Sequence, residues 1–230
     1  MTQTFADRSA PPLQPNLPAE TVCLTIPGLN GSGPDHWQSR WEARPDCARV
    51  DLGNWEDPDR DLWRFRLDAA IRGQPGRVVL AAHSLGCLTV ASWAAFAPVD
   101  VAAKVRGALL VAPPHLDGRK RLGNFSSLPG YALPFRSILV SSSSDPYATP
   151  LQSRAMARLW GSDHVDLGDA GHINAASGLG DWPEGQALLA GLAKPDWAER
   201  ASGRLLRHRQ RWQTLALRPA SHKLSPQHAS

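Results

Sequence analysis

The chain has 230 residues, of which 42 % are hydrophobic and 20 % charged, a balance that suits one globular domain with a sizeable core. The net charge of +4 is uneven: from Lys194 onward eight Lys and Arg stand against two Asp and Glu, a net +6, and the rest sums to −2. The basic balance therefore belongs to the tail and gives no reason to expect nucleic-acid binding by the folded body. Cys23, Cys47 and Cys87 are odd in number and form no CxxC pair, which fits reduced thiols in a cytoplasmic protein rather than a disulfide framework or a zinc site. The start, MTQTFADRSAPPLQPNLPAE, lacks the apolar stretch of a signal peptide, and no run approaches the roughly 20 apolar residues of a membrane span.

Residues 1–20, rich in Pro and polar side chains, read as a flexible lead-in. Six short apolar runs follow: TVCLTI (21–26), ARVDL (48–52), RVVLAA (77–82), GALLVA (107–112), RSILVS (136–141) and DHVDL (163–167). Most are too continuously apolar to leave one face wet, as expected of parallel strands covered on both sides. Helices are expected between them. Asp35 is the expected N-cap of HWQSRWEA, with Gln38 at the capping-box position, and Trp37 and Trp41 face the core. Residues 58–72 carry Leu62, Phe65, Leu67, Ala69 and Ile71 as apolar positions. CLTVASWAAF (87–96) and LQSRAMARLW (151–160) complete the alternation. Strand and helix in turn give an α/β fold, a mostly parallel sheet of about six strands with helices on both faces. The Pro-, Gly- and Ser-rich segment 113–135 is a long loop or small cover, too short for a cap domain. The body is expected over 21–193, with a basic C-terminal extension over 194–230.

Within this scheme AHSLG (82–86) stands between the third strand and its helix, the context of a nucleophile elbow. Ala82 and Gly86 flank Ser84 with little bulk, so the backbone can turn sharply. The helix that follows aims its first N–H groups at the place where negative charge would develop. The Leu85 N–H is then the first oxyanion donor. The glycine-rich loop IPGLNGSG after the first strand supplies the second, from Leu29, with Asn30 as second choice. A nucleophilic serine needs a base and an orienting acid. Asp145, after the fifth strand, and His172, after the sixth, follow Ser84 in the expected order, each at the carboxyl edge of the sheet. Asp163, Asp166 and Asp169 are rival acids, and Asp169 could instead brace the histidine loop. His164 and His115 are weaker bases. Candidate substrate contacts are Asn30, His83, Trp55, Asn174 and Trp182, whereas His36 is expected on the surface at a helix start. No HExxH motif or clustered ligand set suggests a metal.

Over residues 21–193 the chain resembles the α/β-hydrolase superfamily, and within it the small cap-less serine hydrolases typified by retinoblastoma-binding protein nine. The likeness rests on IPGLNGSGPDHWQSRWE (26–42), AHSLG (82–86), SSSSDPY (141–147) and GHINAASGLGDWPEG (171–185). It implies a compact sheet, a Ser84–Asp145–His172 triad, no cofactor, and hydrolysis of small esters or related acyl compounds. The pocket-protein motif L-x-C-x-E of the human member is absent around all three cysteines. The expected activity is that of a carboxylesterase-like serine hydrolase on a small acyl substrate, with thioesters and small amides open to the same chemistry. The competing reading is a non-catalytic scaffold that works through its basic tail, which could meet an anionic surface.

Overall fold

The computed structural model describes residues 17–116, 122, 124–125 and 130–194. The lead-in up to residue 16, the extension from residue 195 and much of the 113–135 segment lie outside the described residues. Six strands, β1 (Thr21–Ile26), β2 (Cys47–Arg49), β3 (Arg77–His83), β4 (Val105–Val111), β5 (Arg136–Ser141) and β6 (Asp163–Asp166), form one sheet in the order β2-β1-β3-β4-β5-β6. Every neighbouring pair is parallel. The helices are α1 (Trp37–Trp41), α2 (Arg60–Gly73), α3 (Leu85–Phe96), α4 (Val99–Ala102), α5 (Pro150–Trp160) and α6 (Pro183–Ala193).

The period of two along each strand sorts the core into two layers. Leu24, Ile26, Val78, Leu80, Ala82, Leu110 and Leu139 face α2, α3 and α5. Cys23, Val79, Ala81, Leu109, Val111 and Val140 face α1 and α6. Both faces are covered, so the strands read as unbroken apolar runs. Because β2 lies to one side of β1 and β3 to the other, the connections after β1 and β3 leave in opposite directions. That divergence opens a crevice at the carboxyl ends of the two strands, where open parallel sheets hold their ligands.

Several local readings need correction. Helix α1 is shorter than expected, and its N-cap is His36, not Asp35: the His36 ring accepts the Gln38 N–H through Nδ1 at 3.1 Å. Gln38 does not reach back in a capping box. It is fully buried, donating to the Ala81 carbonyl (2.8 Å) and accepting from the Ser32 hydroxyl (2.7 Å). Helix α2 starts after Asp59, which accepts the Leu62 N–H. Its core stripe is Trp63, Leu67 and Ile71, four residues apart, while Leu62 and Phe65 point outward. Fully burying Leu67 or Ile71 contributes roughly 1.5–3 kcal/mol each. Strand β2 pairs only over Cys47–Arg49, because it is an edge strand whose chain leaves β1 after the Val50 N–H reaches the Thr25 carbonyl. Helices α4 and α6 add to the helices expected from the sequence. Residues 112–135 join β4 to β5 without room for a cap domain. Among the described residues no helix is long and apolar enough to cross a membrane.

Candidate active site

The site begins with a strained backbone. Ser84 sits between β3 and α3 at φ 53° and ψ −124°, a region that side-chain-bearing residues rarely enter. Such a conformation costs of order 1–3 kcal/mol and persists only when its surroundings enforce it. Here the Ser84 N–H is held by the Val111 carbonyl (2.9 Å), and the Ser84 carbonyl accepts from the Cys87 N–H (3.0 Å). Gly86 explains the tightness from the other side. A Cβ at this position would lie 2.1 Å from the Ile26 carbonyl oxygen, so only glycine lets α3 approach the end of β1. Gly28 plays the same part in the β1 loop, where a Cβ would meet the Ser84 Cβ at 2.8 Å and the Leu85 nitrogen at 2.9 Å.

From the elbow the Ser84 hydroxyl donates to Nε2 of His172 at 2.9 Å. The opposite ring nitrogen, Nδ1–H, donates to both carboxylate oxygens of Asp145, each at 3.0 Å. The carboxylate demands a donor, and this fixes the tautomer that leaves Nε2 as the acceptor. Asp145 is nearly enclosed, its side chain 2 % exposed, and its Oδ1 also accepts the Tyr147 N–H at 2.9 Å. Ser84, His172 and Asp145, predicted from three separate loops, therefore form one hydrogen-bonded line.

The loops that carry the acid and the histidine are laced together by the serine run. The Ser142 hydroxyl donates to the Gly168 carbonyl (3.0 Å) and accepts the Ala170 N–H (3.0 Å). The Ser144 hydroxyl accepts the Gly171 N–H (3.0 Å) and donates to Asp169. Asp169 is thus a brace, as one reading of the sequence has it. The other rivals lie elsewhere: Asp163 pairs with Arg136, Asp166 caps the Gly168 N–H, His164 bonds Ser141, and His115 bonds Gln152. Two ring donors hold the backbone of the histidine loop. Nε2–H of His83 donates to the His172 carbonyl (2.9 Å), and Nε1–H of Trp37 donates to the next carbonyl, that of Ile173 (2.9 Å).

A cavity of about 570 Å³ opens over this line. Leu29, Leu85, Pro114 and Leu122 give it an apolar wall, and Asn30, His83 and Asn174 border it as the sequence suggests. The Leu85 N–H heads α3, where a first-turn N–H has no partner within the helix. Of the loop amides, Asn30 is committed to the Trp55 carbonyl (2.8 Å) and Gly31 to the Gly28 carbonyl (3.0 Å). Asn30 is therefore not an oxyanion donor, and among the described residues no carbonyl takes the Leu29 N–H. Two proposed wall residues are misplaced. Trp55 packs edge-on against Trp63, 5.5 Å between centroids, and serves the loop through its carbonyl. Trp182 is buried beneath α1, stacked 6.0 Å from Trp41 and edge-on to Trp37 at 5.2 Å. Asn174 spends its side-chain oxygen on the Ala176 N–H, capping the short 3-10 turn Ala175–Ser177.

Beside Pro114 and Leu122, the wall holds two ring side chains that are not among the sequence candidates. His36, expected at the surface, is 4 % exposed and lines the cavity. Tyr147 lies edge-on to the His172 ring at 4.5 Å, and only its place two residues after Asp145 signalled it. His36, His83 and His172 stand in a row, with centroids 4.6 and 4.9 Å apart. Burial, Arg49 and His172 push His36 down to about 4. Burial, then His36 and His172, pushes His83 well below the ordinary histidine value. Both stay neutral at pH 7, and since the His172 carbonyl only accepts, His83 carries its proton on Nε2. Among the described residues no cluster of three His, Cys, Asp or Glu side chains is arranged to hold a metal ion.

No curated protein sequence matches the chain. Among solved structures it is similar to a YdeN-like hydrolase of Pectobacterium atrosepticum at 29 % identity and TM-score 0.67, over 75 % of this chain and 90 % of that one. The ydeN gene product of B. subtilis shares the fold at 16 % identity and TM-score 0.60, over 75 % of this chain and 97 % of that one. So does Est1E of Butyrivibrio proteoclasticus at 15 % identity and TM-score 0.55, over 75 % and 88 %. These neighbours support the superfamily but do not carry the finer grouping with retinoblastoma-binding protein nine. Residues 23–191 match the family described as serine hydrolase, and with this sheet and elbow the chain belongs to that family, on an α/β-hydrolase fold.

Proposed function

We propose that this hydrolase cleaves small carboxylic esters through an acyl-enzyme on Ser84. The observation that carries the reading is the continuous hydrogen-bonded line from the Ser84 hydroxyl through His172 to a nearly enclosed Asp145, set on a strained elbow. His172 Nε2 takes the Ser84 proton as Oγ attacks the substrate carbonyl carbon. The carbonyl oxygen gains the negative charge and is met by the Leu85 and Leu29 N–H groups. Asp145 holds the imidazole in its tautomer and faces the imidazolium that forms. The C–O bond to the alcohol then breaks, and the alcohol leaves with the proton from Nε2. Water attacks the acyl carbon, gives a proton to the same nitrogen and releases the acid, and Ser84 recovers its hydrogen.

Leu29, Leu85, Pro114 and Leu122 make up the apolar part of the described cavity wall. Its leucines and proline suit a short apolar acyl chain or alcohol. Thioesters use the same machinery, and the reading ranks them behind oxygen esters. The catalytic unit is placed within residues 21–193, and deletion of residues 195–230 is expected to spare turnover. The test is hydrolysis of p-nitrophenyl esters of acetate to octanoate, beside an acyl thioester series, by wild type and Ser84→Ala. The reading expects saturable turnover of the short oxygen esters by wild type and loss of about 10⁴-fold or more in the variant. Equal rates for the two proteins would remove Ser84 from the chemistry.

A further inference from the structure

We infer that His83 is a positioning residue: through its Nε2–H it anchors the main chain of His172 and so holds the imidazole against Ser84. The inference rests on the reading of Ser84 and His172 as nucleophile and base. Its basis is the loop's own geometry. His172 lies between Gly171 at φ 55° and Ile173 at φ 51°, so the chain turns sharply on both sides of the base. Ile173 is β-branched, and such a residue occupies the left-handed region only when neighbours hold it there. The His172 side chain is held by Asp145, but a side chain is only as fixed as its own backbone. The peptide that joins His172 to Ile173 is held by the His83 ring at one carbonyl, and the peptide after it by the Trp37 ring at the next.

The two anchors differ in where they come from. Trp37 belongs to α1 and reaches the loop from the core. His83 is the last residue of β3, immediately before Ser84. Its hydrogen bond ties the backbone of the base to the backbone of the nucleophile, so the two cannot drift apart independently. The distance it protects is the 2.9 Å between Ser84 Oγ and His172 Nε2. The donor is dependable because its partner, a carbonyl, can only accept and so keeps the hydrogen on Nε2, and because the ring is enclosed at 5 % exposure. A ring that shed or rotated its proton would offer the carbonyl a lone pair and release the loop. The neighbouring His36 packs edge-on against His83 at 4.6 Å and limits rotation of its ring.

This role separates from simple packing by chemistry. In His83→Gln the amide nitrogen lies close to where Nε2 was, so the donor is kept. In His83→Asn the amide corresponds to Nδ1 and falls short of the carbonyl. In His83→Phe the ring is kept and the donor lost. The measurement is steady-state hydrolysis of p-nitrophenyl butyrate by wild type, these three variants and Ser84→Ala, with folding checked by circular dichroism and thermal melting. Displacing a reacting group by about 1 Å costs on the order of 10²-fold, so kcat should fall about 10- to 100-fold in the Phe and Asn variants. KM should stay within about twofold, and Gln should recover most of the loss. Wild-type kcat in either the Phe or the Asn variant, or a Gln variant as slow as Asn, would overturn the inference. If the Phe variant fails to fold, the Gln and Asn pair decides. An inert wild type would instead remove the proposed esterase activity and this role with it.

Discussion

His36→Asn tests whether the loop after β1 is folded as described. In the structure His36 is 4 % exposed and packs against the Trp37 and His83 rings, and burial, Arg49 and His172 push its pKa down to about 4. In the unfolded chain a histidine has a pKa of about 6.5. Between these values the unfolded state binds a proton that the folded state refuses. Stability therefore rises with pH through that window and is lost as pH falls from about 6.5 toward about 4. From the two values His36 alone removes about 2 kcal/mol between pH 7 and pH 5. Asparagine places Oδ1 near the position of Nδ1, so the bond from the Gln38 N–H is kept while the titration is removed. Urea unfolding of both proteins at pH 7 and pH 5 gives the comparison. Wild type should lose about 2 kcal/mol more than the variant over that interval, because burial, the largest cause of the low His83 value, is left in place by the substitution. Equal losses would mean that His36 is as wet in the fold as out of it, and the packing of the first loop would be wrong.

Other perturbations bear on separate joints of the structure. Gly86→Ala sets a Cβ 2.1 Å from the Ile26 carbonyl oxygen and should cost about 3 kcal/mol or more, read as a fall in the urea midpoint. A midpoint within experimental error of wild type would contradict the close approach of α3 to β1. Asp145→Asn keeps the shape but loses the acceptor that fixes the His172 tautomer, so kcat should drop about 10⁴-fold with little change in the melting temperature. Ser142→Ala removes one of the two donors to the Gly168 carbonyl, which keeps the Ser143 N–H, and leaves the Ala170 N–H without the hydroxyl it donates to. A cost of about 2 kcal/mol is expected in unfolding experiments, and no cost would show that the serine run is not a brace.

The sequence made the line of Ser84, Asp145 and His172 legible because each lies just past the end of its own apolar strand. Parallel strands in one sheet bring all such ends to one edge. The order of residues and the strand runs were enough for that, without any knowledge of side-chain direction. The same logic points to the N–H groups of Leu85, at the head of α3, and Leu29, whose N–H no described carbonyl takes, as the proposed oxyanion donors. It failed where the answer depends on how a loop folds back. His36 reads as a surface residue because a polar ring beside a helix start is normally wet, and only the return of the β1 loop over β3 encloses it. Trp55 and Trp182 follow functional loops in sequence, yet each packs against another tryptophan. In α2 the apolar residues run around more than one face, and position alone did not separate the buried Leu67 from the exposed Phe65. The serine run before Asp145 looks like a polar linker, and its lacing of two loops is visible only once β5 and β6 are side by side. Helix α6 carries two glycines within its eleven residues, which hides a helical pattern that contact with β4 stabilises.

The central claim is that Ser84 is an activated nucleophile, and a covalent adduct tests it most directly. The protein would be treated with a fluorophosphonate, then measured intact and after proteolysis, beside Ser84→Ala and His172→Ala. The account predicts a single adduct per chain on the peptide that holds AHSLG, located at Ser84, absent from the first variant and formed far more slowly in the second. A folded wild-type protein that stays unlabelled, or an adduct that persists in Ser84→Ala, would contradict it.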